Sequence, residues 1–268
     1  PSDDMATFDK GHNEAFAFSE AELYLAYKDG EVVGRVAAII NNKANEAWGV
    51  KQVRFGWIDF IDDLEVSGAL LDAVIDFGRK HGMTQIVGPL GFTDFDPEGM
   101  LMEGYDRIST MALIYNHPYY PEHMKKHGYV KETGWIENRI TIPEALPEKF
   151  NRVADLVHQK YNLKVRKLTT RQINKLGYGR KFFHLINKTY CNLYGFSLLS
   201  DKQIDDFVDT HLTLIDTRML TLIEDENGEL IAGGVSMPSI AEALQKCRGE
   251  MFPFGWWHLL KAMFWKRS

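Results

Sequence analysis

The chain has 268 residues, 45% of them apolar and 25% charged, with a formal net charge of −6. That balance matches a soluble globular protein with a sizeable core, built as one large or two ordinary domains. No run of about 18 apolar residues offers a membrane-spanning helix, and an acidic surplus argues against nucleic acid, which usually meets a basic face.

The polar stretch from Pro1 to Phe18 starts abruptly, as though cut from something longer. Leu23 to Tyr27 and Val32 to Ile40 are apolar runs split by Lys28-Asp29-Gly30-Glu31, a hairpin pattern. Val53 to Ile61 reads as a third strand. Leu64 to His81 spaces Leu70, Leu71, Val74, Ile75 and Phe77 along one helix face, and Gly82 closes it. A short strand, Gln85 to Val87, precedes a glycine-rich stretch that reaches Tyr105. Pro121 to His127 reads as a helix, and Gly134 to Ile142 as the last strand of this unit.

Pro143 and Pro147 punctuate a linker, followed by a helix from Glu148 to Tyr161 and a strand from Lys164 to Leu168. A helical region from Arg180 to about Leu214 leads to a second hairpin, Met219 to Ser236, turning at Asn227-Gly228. "DGEVVGRVAAI" (29–39) and "NGELIAGGVSM" (227–237) share one rhythm, which suggests an internal duplication. The expected division is a first lobe over 1–142, a linker and helix over 143–163, and a second lobe over 164–268. Cys191 and Cys247 have neither disulfide nor metal spacing and read as half-buried thiols in a reduced, cytoplasmic setting.

The order hairpin, strand, turn, helix, strand, helix, strand resembles the GNAT acyltransferase fold. The phrases "DGEVVGRVAAIIN", "GWIDFIDDLEVSGALLDAV", "GPLGFTDFDPEGML" and "YNHPYYPEHMKKHGY" together look like a bacterial branch of that superfamily with two GNAT-like lobes. The resemblance implies an α/β (α+β) fold with mixed sheets, its second lobe incomplete in this sequence. It also implies an acyl-coenzyme A or acetyl-coenzyme A co-substrate and a small or amino-acid-like amine acceptor.

In that family the turn after the central strand brings glycines and backbone amides to the coenzyme diphosphate, at a helix N-terminus. The corresponding positions here are Asp62, Glu65 and Ser67. Two carboxylates repel a phosphate and suit a bare helix start, so this turn is expected not to bind. The family's proton-donating tyrosine, four residues before "GF", falls on Met124, which carries no proton to give. The coenzyme would then belong to the second lobe. No matching turn follows its hairpin, so a longer natural chain is expected.

Asn116, Tyr119 and Tyr120 could line an acceptor pocket beside Glu103, or pack as a proline-bounded aromatic turn. His123 and His127 have helical i, i+4 spacing, but "HMKKH" lacks a zinc-protease glutamate and a third ligand, so no metal is expected and a solvated helix face is. In the second lobe, His184 and Glu224 are the base candidates, with Tyr194 beside them. "FGWWHLLKAMFWKRS" reads as an amphipathic packing helix or a peripheral membrane contact. Spacing alone assembles no Ser-His-Asp arrangement. Two other functions stay open: a silent GNAT-like module binding a ligand or partner, and a transferase drawing on aminoacyl-tRNA.

Overall fold

The protein is described by a computed structural model covering residues 2–110, 113–211, 215–248, 250 and 252–264. Residues 212–214, where the expected helical region ends, and 265–268 of the aromatic tail lie outside the described residues. The fold is α+β, with a mixed four-stranded sheet and an antiparallel three-stranded one. Contacts divide the chain into two compact units: Pro1–Gly134 with Tyr194–Ser197 and Pro238–Ser268, and Trp135–Leu193 with Leu198–Met237.

In the first unit, α1 (Ser2–Thr7) and a 3-10 turn (Glu14–Ala17) precede β1 (Ser19–Lys28) and β2 (Glu31–Asn41). Asp29 and Gly30 form the two-residue turn, both with positive φ (53° and 86°), the geometry that matches strand twist. After α2 (Asn42–Trp48), β3 (Gln52–Phe60) pairs antiparallel with β2. A bulge opposite Arg35–Ala37 leaves Trp57 at φ 46°. Asp63 caps α3 (Leu64–Lys80), Glu65 lies in its first turn, and Arg79 and Lys80 in its last, all favourable to the helix dipole. Its buried face, Val66, Leu70, Leu71, Val74 and Phe77, packs on the sheet with Val36, Phe55 and Phe60, each full burial contributing about 1.5–3 kcal/mol.

The short strand β4 (Gln85–Val87) returns parallel to β3, completing a strand–helix–strand crossover, and α4 (Tyr119–Lys126) adds Tyr120 and Met124 to the same core. The opposite sheet face is covered by Ala15, Phe92, Phe8 and Phe16 around Ala37, Ile39 and Trp57. The strand expected over Gly134–Ile142 does not form. Ile136, Ile140 and Ile142 are exposed, and an extended segment without a pairing partner has no ladder to join. In this unit's last piece, α9 (Ala241–Cys247) packs on α10 (Gly255–Phe264).

The second unit holds α5 (Glu148–Lys160), β5 (Lys164–Arg166), α6 (Thr170–Lys175), α7 (Tyr178–Tyr190), α8 (Asp201–His211), β6 (Leu220–Glu224) and β7 (Leu230–Val235). The expected continuous helical region is two helices, broken between Tyr190 and Asp201. Leu199 of that break packs with Phe183 and Ile204. Thr169 and Gln172 make a capping box at α6. Cys191 is exposed rather than half-buried, and Cys247 is partly covered. No described helix is long and apolar enough to cross a membrane.

Candidate functional site

β3 organises the first unit's polar chemistry. β4 pairs with it only over Gln52–Arg54, and the remainder of β3 then needs other partners on that side. Tyr119 and Tyr120 supply them at the far end. The Tyr119 hydroxyl donates to the Phe60 carbonyl at 2.7 Å, and the Phe60 N–H donates to the Tyr120 oxygen at 3.2 Å. Burial pushes Tyr120 up to about 12 and raises Tyr119 as well. These two rings complete a strand edge. Asn116 is also engaged: its side-chain oxygen accepts from the Leu101 N–H at 2.6 Å and its amide donates to the Leu101 and His117 carbonyls. Glu103 is exposed.

At the turn before α3, the Asp63 carboxylate accepts from the Glu65 N–H at 2.9 Å and from Lys28 Nζ at 2.6 Å. Lys28 and these backbone N–H groups hold Asp63 below its ordinary value. A side chain of the protein thus already sits on the helix's positive end. Asp62 and Glu65 are exposed, and Ser67 is fully buried.

Ser67 joins a chain that sequence spacing did not show. His123 Nε2 lies 2.9 Å from Asp62 Oδ1, His123 Nδ1 lies 2.9 Å from Ser67 Oγ, and His127 Nε2 lies 2.8 Å from the same oxygen. The proton count is tight. The Ser67 hydroxyl also lies 3.2 Å from the Leu64 carbonyl. When His123 donates from Nε2 to Asp62, the single hydroxyl proton is shared between that carbonyl and His123 Nδ1, and His127 then donates to Ser67. Carboxylate, imidazole and hydroxyl follow the order of a serine nucleophile. Ser67 is nevertheless sealed beneath α4 and hydrogen-bonded on both sides, so the chain fastens α4 to α3. His123 is therefore buried, at 3% exposure, where a solvated helix face was expected.

A different cluster carries the perturbed acids. Arg54, on β3, is buried and donates to the carbonyls of Gly91 at 2.9 Å and Gly195 at 3.2 Å. Burial draws the guanidinium below its ordinary value, against the opposing pull of Asp94, Glu98 and Asp96. Those three half-buried carboxylates follow β4 in the loop "TDFDPEG". Burial, then repulsion from Asp94, pushes Glu98 up to about 7, and burial pushes Asp94 up to about 6 despite Arg54. Asp96 is tied down by the Thr93 N–H at 2.8 Å. Gly91 makes room for it, since a Cβ there would lie 2.2 Å from the Asp96 Cβ. Carboxyls that change charge near neutral pH, beside a fixed cation, suit proton transfer and the holding of an ammonium group. The only sequence signal was three acids at alternate positions in a glycine- and proline-bounded loop.

Tyr194 belongs to this same unit, donating to Glu132 at 2.7 Å, and burial raises its pKa. The second-lobe base candidates have partners of their own. Glu224 is buried, accepts from the Tyr178 hydroxyl and pairs with Arg166 at 3.1 Å. His184 is half exposed on α7, 3.7 Å from Asp201. Among the described residues no group of three His, Cys, Asp or Glu side chains is placed to hold a metal ion.

The chain is similar to a bacterial ceramide synthase. It is 25% identical over 260 residues to the protein of that name from Caulobacter vibrioides, covering 92% of this chain and 64% of that one. It is 27% identical over 247 residues to Protein YghO of Escherichia coli, covering 89% of this chain and 60% of the relative. The chain thus spans about three fifths of the length of these curated relatives. No family model matches the chain, and no solved structure does.

Proposed function

We propose that this chain belongs to an N-acyltransferase that joins a fatty acyl group to the amine of a long-chain amino alcohol or similar apolar amine. The similarity along 92% of the chain to a protein named bacterial ceramide synthase carries the reading, since a ceramide is the amide of such an amine. The crossover of β3, α3 and β4 with a bulge at Trp57 supports a GNAT-like framework for it.

In this reading Glu98, with Asp94 beside it, holds the acceptor ammonium and takes its proton. The freed nitrogen lone pair attacks the thioester carbonyl, the C–S bond breaks, and the second proton that the nitrogen loses passes to the departing thiolate. Acyl-coenzyme A is the proposed donor, which would make the reaction cytoplasmic. Its diphosphate is held elsewhere than on the α3 amides, because Asp63 occupies them. That same self-capped turn favours a second reading, a module that binds an acyl ligand without turnover.

The test uses the natural full-length protein with acyl-coenzyme A of graded chain length and a long-chain amino alcohol. Thiol release and amide mass are followed together. Amide formation that requires Glu98 supports the transferase. Saturable acyl-coenzyme A binding without amide supports the silent module, and neither result retires both.

A further inference from the structure

We propose that two copies of this chain pair edge to edge through β1, antiparallel about a twofold axis at Tyr24, joining their four-stranded sheets into one. β1 is the outer strand of its sheet, paired with β2 alone. It runs ten residues, Ser19–Lys28, against three for β4 at the opposite edge. Among the described residues no other hydrogen bond reaches the backbone of Ser19–Lys28, so alternate N–H and C=O groups point outward along it. Natural sheets guard such an edge with shortness, a proline or a lysine in mid-strand. β1 has no proline, and its one lysine stands last.

The side chains of β1 alternate between two faces. Tyr24 and Ala26 pack on the α3 side, and Ala21 packs on the Phe92 side. Beyond Ala21 on that second face, Leu23, Leu25 and Tyr27 are 58%, 54% and 62% exposed. Val32, opposite Tyr27 across the hairpin, is 55% exposed. Single exposed apolar residues are ordinary, whereas a row of them along an unpaired strand marks a place for another strand.

The strand is complementary to itself. In an antiparallel pair centred on Tyr24, Leu23 faces the partner's Leu25, Ala21 faces the partner's Tyr27, and Glu20 faces the partner's Lys28. Twofold symmetry repeats each contact, so apolar meets apolar and both ends close on opposite charges. Glu20 lies 3.1 Å from His81 and Lys28 donates to Asp63 at 2.6 Å, yet both side chains are half exposed. Lys28 also keeps two further N–H donors. Beside Ser19–Glu22 an open groove of about 720 Å³, flanked by Lys10, Glu14, Phe16 and Phe77, leaves room for the incoming strand end. A foreign strand that was merely apolar would leave Glu20 without an answering cation.

The proposal stands apart from the acyl-transfer reading, because assembly is measured without turnover. The natural full-length protein is followed by sedimentation velocity from about 1 to about 100 μM, a range that captures dimers of micromolar affinity. A dimer is expected, with β1 amides that exchange slowly in deuterated solvent. L23K/L25K alters exposed side chains, so it should keep the parent's circular dichroism and Tm while sedimenting as a monomer. E20K and K28E each set like charges opposite one another twice per dimer, and each should weaken dimerisation roughly tenfold. E20K/K28E restores opposite charges and should recover most of that loss. If the two changes acted only through His81 and Asp63, their effects would add in the double variant instead of cancelling. A monomer throughout the range, an L23K/L25K variant that dimerises like the parent, or a double variant weaker than either single one would overturn the proposal. So would a monomer with protected β1 amides, which would assign that edge to another segment of the full-length chain.

Discussion

Two hairpins with the same sequence rhythm meet different fates. β2, from "DGEVVGRVAAI", is buried over most of its length, with Ala38 and Ile39 fully inaccessible, whereas β7, from "NGELIAGGVSM", is largely exposed. Both pairs are antiparallel with one bulge. What separates them is the company. β2 lies between β1 and β3, with α3 on one face and the Phe92 cluster on the other, while β7 is the edge of a three-stranded sheet. A hairpin pattern specifies pairing and turn, and burial has to come from the neighbours. The acids divide the same way. Glu98 and Asp94 are half-buried and shifted toward neutral pH, whereas Glu224 is committed to Tyr178 and Arg166.

The largest expected effect tests that division of acids. Glu98→Gln should lower the acyl-transfer rate by about 10²–10⁴-fold, the usual contribution of a positioned base. In the parent the rate should climb as pH rises through about 7, the value at which Glu98 loses its proton. The variant should lack that limb. An unchanged pH profile in the variant would remove Glu98 from the chemistry.

Next in size is the link between α3 and α4. Ser67→Ala leaves His123 Nδ1 and His127 Nε2 without their shared hydroxyl, and a buried group so orphaned costs about 1–3 kcal/mol. Thermal unfolding should show it as a Tm drop of several degrees. Ser67→Thr keeps the hydroxyl and should recover part of the loss.

The hairpins themselves can be compared at two glycines. A Cβ on Gly34 would lie 2.8 Å from a Leu70 methyl and 3.0 Å from the Asp59 carbonyl, whereas one on Gly234 meets nothing within 4 Å. Gly34→Ala should cost about 1–3 kcal/mol by overpacking, and Gly234→Ala should stay within about 0.5 kcal/mol. Equal effects in denaturant titrations would mean that β2 and β7 are similarly covered in solution.

The smallest effect is one of pH on stability. Folding raises Asp94 from 3.8 to about 6, so the native state binds more protons than the unfolded chain across that window. Its contribution is fully present below about 4 and is lost as pH rises through about 6. Asp94→Asn should flatten that part of the stability curve and make the variant relatively more stable at pH 8.

Much of the first unit was legible in the sequence because its signals are local. The Asp29-Gly30 turn, the apolar stripe of Leu70, Leu71, Val74 and Phe77, and the Gly82 stop each depend on residues within one or two turns. Gly134–Ile142 misled for the opposite reason: a strand needs a partner, and no local pattern supplies one. The Asp62–His123–Ser67–His127 chain was invisible because it joins residues 56 to 61 positions apart through the packing of two helices. Asp94 and Glu98 looked like ordinary loop acids, since their shifts come from burial beside Arg54, which spacing does not encode.

The Tyr119–Tyr120 pair has a kinetic consequence. Phe60 lacks a β4 neighbour, yet both its amide and its carbonyl are engaged by phenolic oxygens. Its amide should therefore exchange with deuterated solvent as slowly as one in the middle of a sheet. Any guest seeking that length of backbone must first swing two rings aside, so its arrival would be timed by rotamer motion of one dipeptide rather than by diffusion alone.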